Sequence, residues 1–275
     1  MELYLGILKL KKEKNSMNET YLEFAKDIAY EAGKIMIKYF NEDNKSYYKE
    51  DETIITKADK EINSYLIKKV KETFPNHSID GEEEQFGKSS YVWVCDPVDG
   101  TAMYARHIPV AVFSLSLVVD GIPQVGVIYD PFTNNLYHAI KGKGAYRNTE
   151  KIHVSNTKLD DMKSVSQFDM WPEANYNIYD AIKELGKKTY FVSIGSIARS
   201  STCIATGDFN LAIYPDTKHR NCDIAAAKVI VEEAGGKVTD LFGSEQCYDT
   251  DINGAVLSNG RVHQEVIDTL NKYLK

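Results

Sequence analysis

The segment Trp93-Val94-Cys95-Asp96-Pro97-Val98-Asp99-Gly100-Thr101 carries the densest chemistry in the chain. A short apolar run leads into two carboxylates three residues apart, and a strand in that position would aim them at one place. Pro97 stiffens the backbone and lacks an N–H, while Gly100 lets main chain approach a ligand closely and leaves the following amides for phosphate oxygens. Clustered aspartates are the hard oxygen donors that Mg²⁺ prefers. An isolated Asp-x-x-Asp-Gly is more often a strand-to-turn transition; the flanking Pro and Thr favour the functional reading.

Other polar positions carry two readings each. Gly81-Glu82-Glu83-Glu84 is a solvated acidic run or, following Ser78-Ile79, sets Glu82 at a strand end facing the same site. Thr56-Lys57-Ala58-Asp59 is a helix cap or part of a catalytic pair. Asp223 opens the run Asp223-Ile224-Ala225-Ala226-Ala227 either as a cap or as a ligand. Arg220 is a surface arginine or a partner for a second phosphate or a sugar hydroxyl.

The elements that must position these groups follow from periodicity. Leu22, Ala25, Ile28, Ala29, Ala32, Ile35, Met36 and Tyr39 recur at helical spacing from Tyr21 to Phe40, after the capping box Thr20-x-x-Glu23. A second helix is expected from Ala58 to about Phe74, stopped by Pro75-Asn76. Strands are expected at 91–95, 111–119, 123–129 and 136–140, with Asp120-Gly121 as a hairpin turn. The second half offers strands at 190–194 and 210–214, a helix over 197–206 stopped by Gly207, and a helix over 223–234 stopped by Gly235-Gly236. A strand near 255–257 and a helix over 263–274 close the chain. Such runs favour layered α and β over a doubly wound parallel sheet.

The 275 residues, 43% hydrophobic and 27% charged, suit one large domain or two closely packed ones. A net charge of −7 opposes nucleic acid and anionic membranes, so an anionic substrate needs local positive charge. Cys95, Cys203, Cys222 and Cys247 form no Cys-x-x-Cys pair, which argues against structural zinc or a disulfide framework and favours a reducing cytoplasm. Leu3 to Leu10 is short, with its basic residues after it, so no signal peptide is expected, nor any membrane span. Met17 opens a segment that reads as a natural start, leaving residues 1–16 as a flexible N-terminal extension or a mis-called start.

Together with Gly195-Ser196, Ala205-Thr206-Gly207 and Glu233-Ala234-Gly235-Gly236, these segments resemble the inositol monophosphatase family. Its members are lithium-sensitive, Mg²⁺-dependent phosphatases and include fructose-1,6-bisphosphatases and nucleotide 3′-phosphatases. The likeness spans nearly the whole chain from Met17. It implies a layered α-β-α-β-α sugar-phosphatase fold: an N-terminal α+β half over 17–150 with the metal motifs, and a C-terminal α/β half over 151–275 supplying Asp223 and substrate contacts. It further implies that Glu82, Asp96 and the Val98 carbonyl hold one Mg²⁺, that Asp96, Asp99 and Asp223 hold a second, and that Glu83 supports a third. In the family mechanism a metal-bound water, oriented by Thr101 with Asp59, attacks phosphorus in line with no covalent intermediate. Gly100 and Thr101 amides complete the phosphate cradle, and Gly195, Ser196, Asp216 and Arg220 reach the substrate, a small phosphorylated metabolite. A homodimer and inhibition by Li⁺ are implied as well.

Two departures bear on the substrate. Cys222, preceded by Arg220 and Asn221, stands before Asp223 where the family usually has Trp, an arrangement that resembles more closely the archaeal-type enzymes acting on inositol monophosphate and fructose bisphosphate. Asp216 stands where animal members carry an inositol-binding Glu, and its shorter arm leaves inositol phosphates, fructose 1,6-bisphosphate, NADP⁺ and nucleotide 3′-phosphates all open. Two rival readings are a haloacid dehalogenase, whose paired aspartates stand two apart rather than three, and an inactive regulator that keeps the fold.

Overall fold

The computed structural model describes residues 2–42, 47–48, 54–159, 163–170, 174, 176–215 and 221–274, with side chains from Ser16 onward apart from Tyr47 and Tyr48. Its first helix, α1 (Glu2–Asn41), corrects the expected start: Thr20 lies inside the helix, its Oγ1 donating to Ser16 O at 3.2 Å. The Ser/Thr-x-x-Glu pattern caps only where a helix begins, and Lys, Leu and Glu upstream of it are good helix formers. After the small pair β1 (Tyr47–Tyr48) and β2 (Ile54–Ile55) comes α2 (Lys57–Thr73). Asp59 caps α2, accepting from Thr56 N at 2.8 Å and Thr56 Oγ1 at 2.5 Å.

An eight-stranded sheet follows: β3 (Ser78–Gly81), β4 (Gln85–Phe86), β5 (Tyr91–Asp99), β6 (Val112–Val119), β7 (Ile122–Asp130), β8 (Asn135–Ile140), β9 (Ala145–Arg147) and β10 (Glu150–Lys151). The one-turn α3 (Thr101–Tyr104) interrupts it after β5. Every pair is antiparallel except β3 with β5. Asp120 and Gly121 form the hairpin between β6 and β7 with φ of 50° and 76°, the backbone a type I′ turn needs.

A second, five-stranded sheet has the order β12-β11-β13-β15-β14, from β11 (Val165–Phe168), β12 (Tyr190–Val192), β13 (Leu211–Tyr214), β14 (Lys237–Thr239) and β15 (Ala255–Ser258). Helices α4 (Tyr179–Leu185), α5 (Ile197–Ala205), α6 (Asn221–Glu233) and α7 (His263–Tyr273) complete the chain. Three apolar clusters define the layers. One joins α1 and α2 to the eight-stranded sheet, a second buries α5 and α6 between the sheets, and a third packs α4 and α7 on the outer face of the smaller sheet. The order is α-β-α-β-α, as the resemblance implied.

Period-two alternation places the chemistry. On β5, Trp93 and Cys95 pack toward α1 and α2, whereas Val92 and Val94 pack toward α6. Asp96 continues the second set and faces α6. Helix α6 is buried nearly all round and apolar, with Ala225, Ala226 and Ala227 at its contact with the sheet. A Cβ at Gly126 of β7 would stand 2.6 Å from Ala226 O, so the glycine permits the close approach.

Candidate active site

Asp96 and Asp99 both reach the α6 side because the strand is bulged. Asp96 pairs with Ser114 and Asp99 with Val112, so three residue steps on β5 match two on β6. In a regular strand residues i and i+3 face opposite sides; the extra residue at Pro97-Val98 restores the same side. Asp96 Oδ1 accepts from Val98 N at 2.9 Å within the bulge.

Asp223 arrives from the first turn of α6, and one carboxylate oxygen from each of Asp96, Asp99 and Asp223 lies within 4.8 Å of the others. All three residues are buried. Asp99 also joins the eight-stranded sheet to α5: it accepts from Ser196 Oγ, from Ala198 N at 2.7 Å and from Ile197 N at 3.3 Å, at the start of that helix. Asn221, two residues before Asp223, donates through Nδ2 to Asp80 Oδ2 at 2.8 Å and to Tyr248 O at 3.0 Å, tying α6 to β3.

Parallel β3 ends beside β5, and Glu82 N donates to Cys95 O at 3.0 Å, which sets Glu82 next to Asp96. Thr101 Oγ1 donates to Val98 O at 2.8 Å, so its proton is committed and its lone pairs face the site. Gly100 has φ of 95°, and a Cβ there would meet Gly195 O and Ser196 Cβ at 3.1 Å. Glu82, Asp96, Asp99, Thr101, Gly195 and Ser196 all line one cavity of about 580 Å³. A larger, shallower groove of about 890 Å³ beside α1 shares none of these residues.

The electrostatics are those of crowded carboxylates. Burial, then Glu82, Asp223 and Asp99, push Asp96 well above the usual carboxylate range. Burial and Asp223 push Asp99 up to about 7, against the lowering by Ser196 and the Ala198 and Ile197 amides. Asp59 is raised to about 7 by burial; its bonds from Thr56 oppose the shift, and Glu82 and Glu83 add to it. Its Oδ1 is buried with no hydrogen-bond partner among the described residues. Asp59 is therefore both helix cap and perturbed carboxylate, since the cap uses Oδ2 alone.

This donor set fits divalent cations. Oxygen ligands converge, their like charges repel, and no Lys or Arg among the described residues lines the cavity to neutralise them. Asp216 and Arg220 lie outside the described residues. Sequence reasoning passed over Asp169 and Met170, which line the same cavity at the end of β11. Their signal was the short segment Val165–Phe168, too polar at Ser166 and Gln167 to stand out as a strand.

The chain matches the inositol monophosphatase family model over residues 17–275. It is 28% identical over 262 residues to a fructose-1,6-bisphosphatase/inositol-1-monophosphatase of Thermotoga maritima, covering 92% of this chain and 97% of that protein. It is 30% identical over 268 residues to inositol monophosphatase 1 of Solanum lycopersicum, covering 94% and 97%. Among solved structures, the IMPase of Thermotoga maritima superposes with a TM-score of 0.82 at 27% identity, over 92% of this chain and 98% of that one. The inositol monophosphatase from Anabaena gives 0.77 at 30%, over 93% and 96%. The five-layer fold, its buried carboxylate cavity and the match across nearly the whole sequence converge on one conclusion: the chain belongs to the inositol monophosphatase family and is a hydrolase of phosphate monoesters.

Proposed function

We propose that the chain is a Mg²⁺-dependent phosphatase of small, hydroxyl-bearing phosphate monoesters of the inositol monophosphate kind. The observation that carries this reading is the convergence of Asp96, Asp99 and Asp223 within 4.8 Å in a buried cavity. Glu82, Asp96 and the Val98 carbonyl would hold one cation and Asp96, Asp99 and Asp223 a second, with Glu83 supporting a third. Bound cations would supply water activation and neutralise phosphate charge. The chain's own residues do the rest. Thr101 Oγ1, whose own proton goes to Val98 O, would accept a hydrogen bond from the attacking water, and Asp59, whose buried Oδ1 has no partner among the described residues, would take its proton. The Gly100 and Thr101 amides would cradle phosphate oxygens, whereas Met103 N and Tyr104 N donate to Gly100 O at 2.9 and 3.0 Å.

The site aspartates would be ligands in this reading, not nucleophiles. Beryllium fluoride trapping is expected to leave no aspartyl adduct on Asp96, and an adduct there would replace it with a covalent mechanism. Titration calorimetry is expected to show Mg²⁺ uptake, and phosphate release is expected to require Mg²⁺ and to fall with Li⁺; no uptake in the presence of phosphate would refute the cation assignment. Fructose 1,6-bisphosphate is the second substrate to test, because the Thermotoga maritima relative carries both activities in its name.

Four unpaired cysteines and the lack, among the described residues, of any helix long and apolar enough to cross a membrane support a cytoplasmic enzyme. Edge strand β12 exposes Tyr190 and Phe191, 62% and 50% accessible, which supports a homodimer formed along that edge. Sedimentation of Phe191→Lys against the parent tests it; an unchanged dimer would move the interface elsewhere.

A further inference from the structure

Four carboxylates line the cavity, and three of them, Glu82, Asp96 and Asp99, belong to the acidic floor. The fourth, Asp169, does not. It follows β11 in the smaller sheet, stands outside the convergent trio, and leads into the exposed Met170.

Its carboxylate is held rigidly. Oδ1 accepts from Ser193 Oγ at 2.5 Å and Oδ2 from Gln167 Nε2 at 2.8 Å. Gln167 is buried, and its Oε1 accepts from Ile194 N at 3.3 Å, so each end of the amide has a dedicated partner and a flip would break both bonds. Asp169 is thereby locked to the 193–196 loop whose Gly195 and Ser196 share the cavity with it. An ionised carboxylate has about four acceptor sites. Two are used, and the others are available to a ligand.

We propose that Asp169 is a specificity-determining residue: it accepts hydrogen bonds from hydroxyls on the alcohol part of the substrate and repels a second phosphate. The chain would then favour cyclitol or polyol monophosphates over sugar bisphosphates. This rests on the phosphatase reading above and deepens it. Two physical reasons carry the inference. A site built to pair a hydroxyl rejects ligands that cannot pair with it more strongly than an apolar wall does. A like charge facing a phosphate is a repulsive element, and once cations neutralise the floor Asp169 is the remaining negative group among the described lining residues.

The test is steady-state kinetics of the full chain with Mg²⁺ on inositol 1-phosphate, fructose 1,6-bisphosphate and p-nitrophenyl phosphate. The parent is expected to favour the first over the second by kcat/KM. Asp169→Asn keeps an acceptor oxygen and removes the charge, so the bisphosphate-to-monophosphate ratio of kcat/KM is expected to rise about tenfold, which corresponds to ~1.4 kcal/mol. Asp169→Ala is expected to raise KM for inositol 1-phosphate about tenfold, in line with one lost hydrogen bond, with kcat falling less than KM rises. A ratio that stays within about twofold in both variants, or a parallel fall on all three esters, would overturn the proposal and leave Asp169 a structural residue. A parent inert toward all three overturns the phosphatase reading and this inference with it; parent turnover with an unmoved ratio overturns the inference alone.

Discussion

The floor of the cavity and its rim are built differently. The floor carboxylates stand on regular elements, Asp96 and Asp99 on bulged β5 and Asp223 on the first turn of buried α6, where backbone pairing and close packing fix them. The rim residues follow strand ends: Asp169 after β11, and Gly195 and Ser196 before α5. Under the proposed reading, a site made this way separates chemistry from choice. Changes in the floor are expected to hit every substrate alike, whereas changes at the rim are expected to reorder substrates.

The largest expected effect is at the floor. Asp96→Asn removes a charge from the most crowded carboxylate, the one facing Glu82, Asp223 and Asp99 together. Several kcal/mol of cation-borne charge stabilisation depend on it, so kcat is expected to fall at least about 10³-fold on every ester tried. A variant that lost activity on one substrate and kept it on another would erase the distinction between floor and rim.

The next effect is a pH signature. Asp59 titrates near 7 in the folded chain against 3.8 for the free side chain, so the folded state holds the extra proton between those values. Stability from this group is fully present below about pH 4 and is lost as pH rises through about 7, on the order of 4 kcal/mol in all. Urea unfolding of metal-free Asp59→Asn is expected to lack that slope, and a slope equal to the parent's would show that the burial assigned to Asp59 is wrong. Mg²⁺ affinity is expected to run the other way, rising with pH through about 7 as Asp99 gives up its proton.

A smaller effect tests how packing sets the floor. Gly126→Ala puts a methyl where Ala226 O stands 2.6 Å away, and backbone cannot turn aside as a side chain can. Overpacking of this kind costs about 1–3 kcal/mol. The shift of α6 carries Asp223 with it, three residues along, so thermal stability and Mg²⁺ affinity are expected to fall together. A loss of stability with unchanged affinity would show that Asp223 tolerates movement of its helix.

This division also explains what could be read from the sequence. The apolar strand before Asp96, the Asp120-Gly121 hairpin and the glycine stops after α5 and α6 were legible, because each rests on local preference that tertiary packing reinforced. The bulge was hidden: nothing in Asp96-Pro97-Val98-Asp99 announces an extra residue until β6 is laid beside it. Thr20 misled for a related reason, since a capping pattern is silent about what precedes it. Asp169 was missed because β11 is four residues long and its meaning lies in Ser193, which meets it only through the fold. Asp59 showed its capping role in sequence, but its elevated titration comes from burial, to which Glu82 and Glu83 after β3 add, and neither burial nor those neighbours can be read locally.

The smallest expected effect lies at the start of α6, beside the floor. Asn221 is buried, and one amide nitrogen serves both Asp80 on β3 and Tyr248 O in the loop after β14, so it ties the start of α6, two residues before Asp223, to the strand that leads to Glu82. Groups bonded directly to metal ligands are worth about 10–100-fold in affinity when removed, and Asn221 acts one step further out, through the backbone that carries Glu82 and Asp223. Asn221→Ala leaves every carboxylate in place and is expected to sit at the low end, about a tenfold weaker Mg²⁺ affinity by calorimetry, with substrate ranking unchanged. Asn221→Asp would set a second carboxylate against Asp80 and is expected to weaken Mg²⁺ further despite adding a potential ligand. If it instead tightens Mg²⁺, the residue is coordinating rather than orienting, and the floor extends two residues before Asp223.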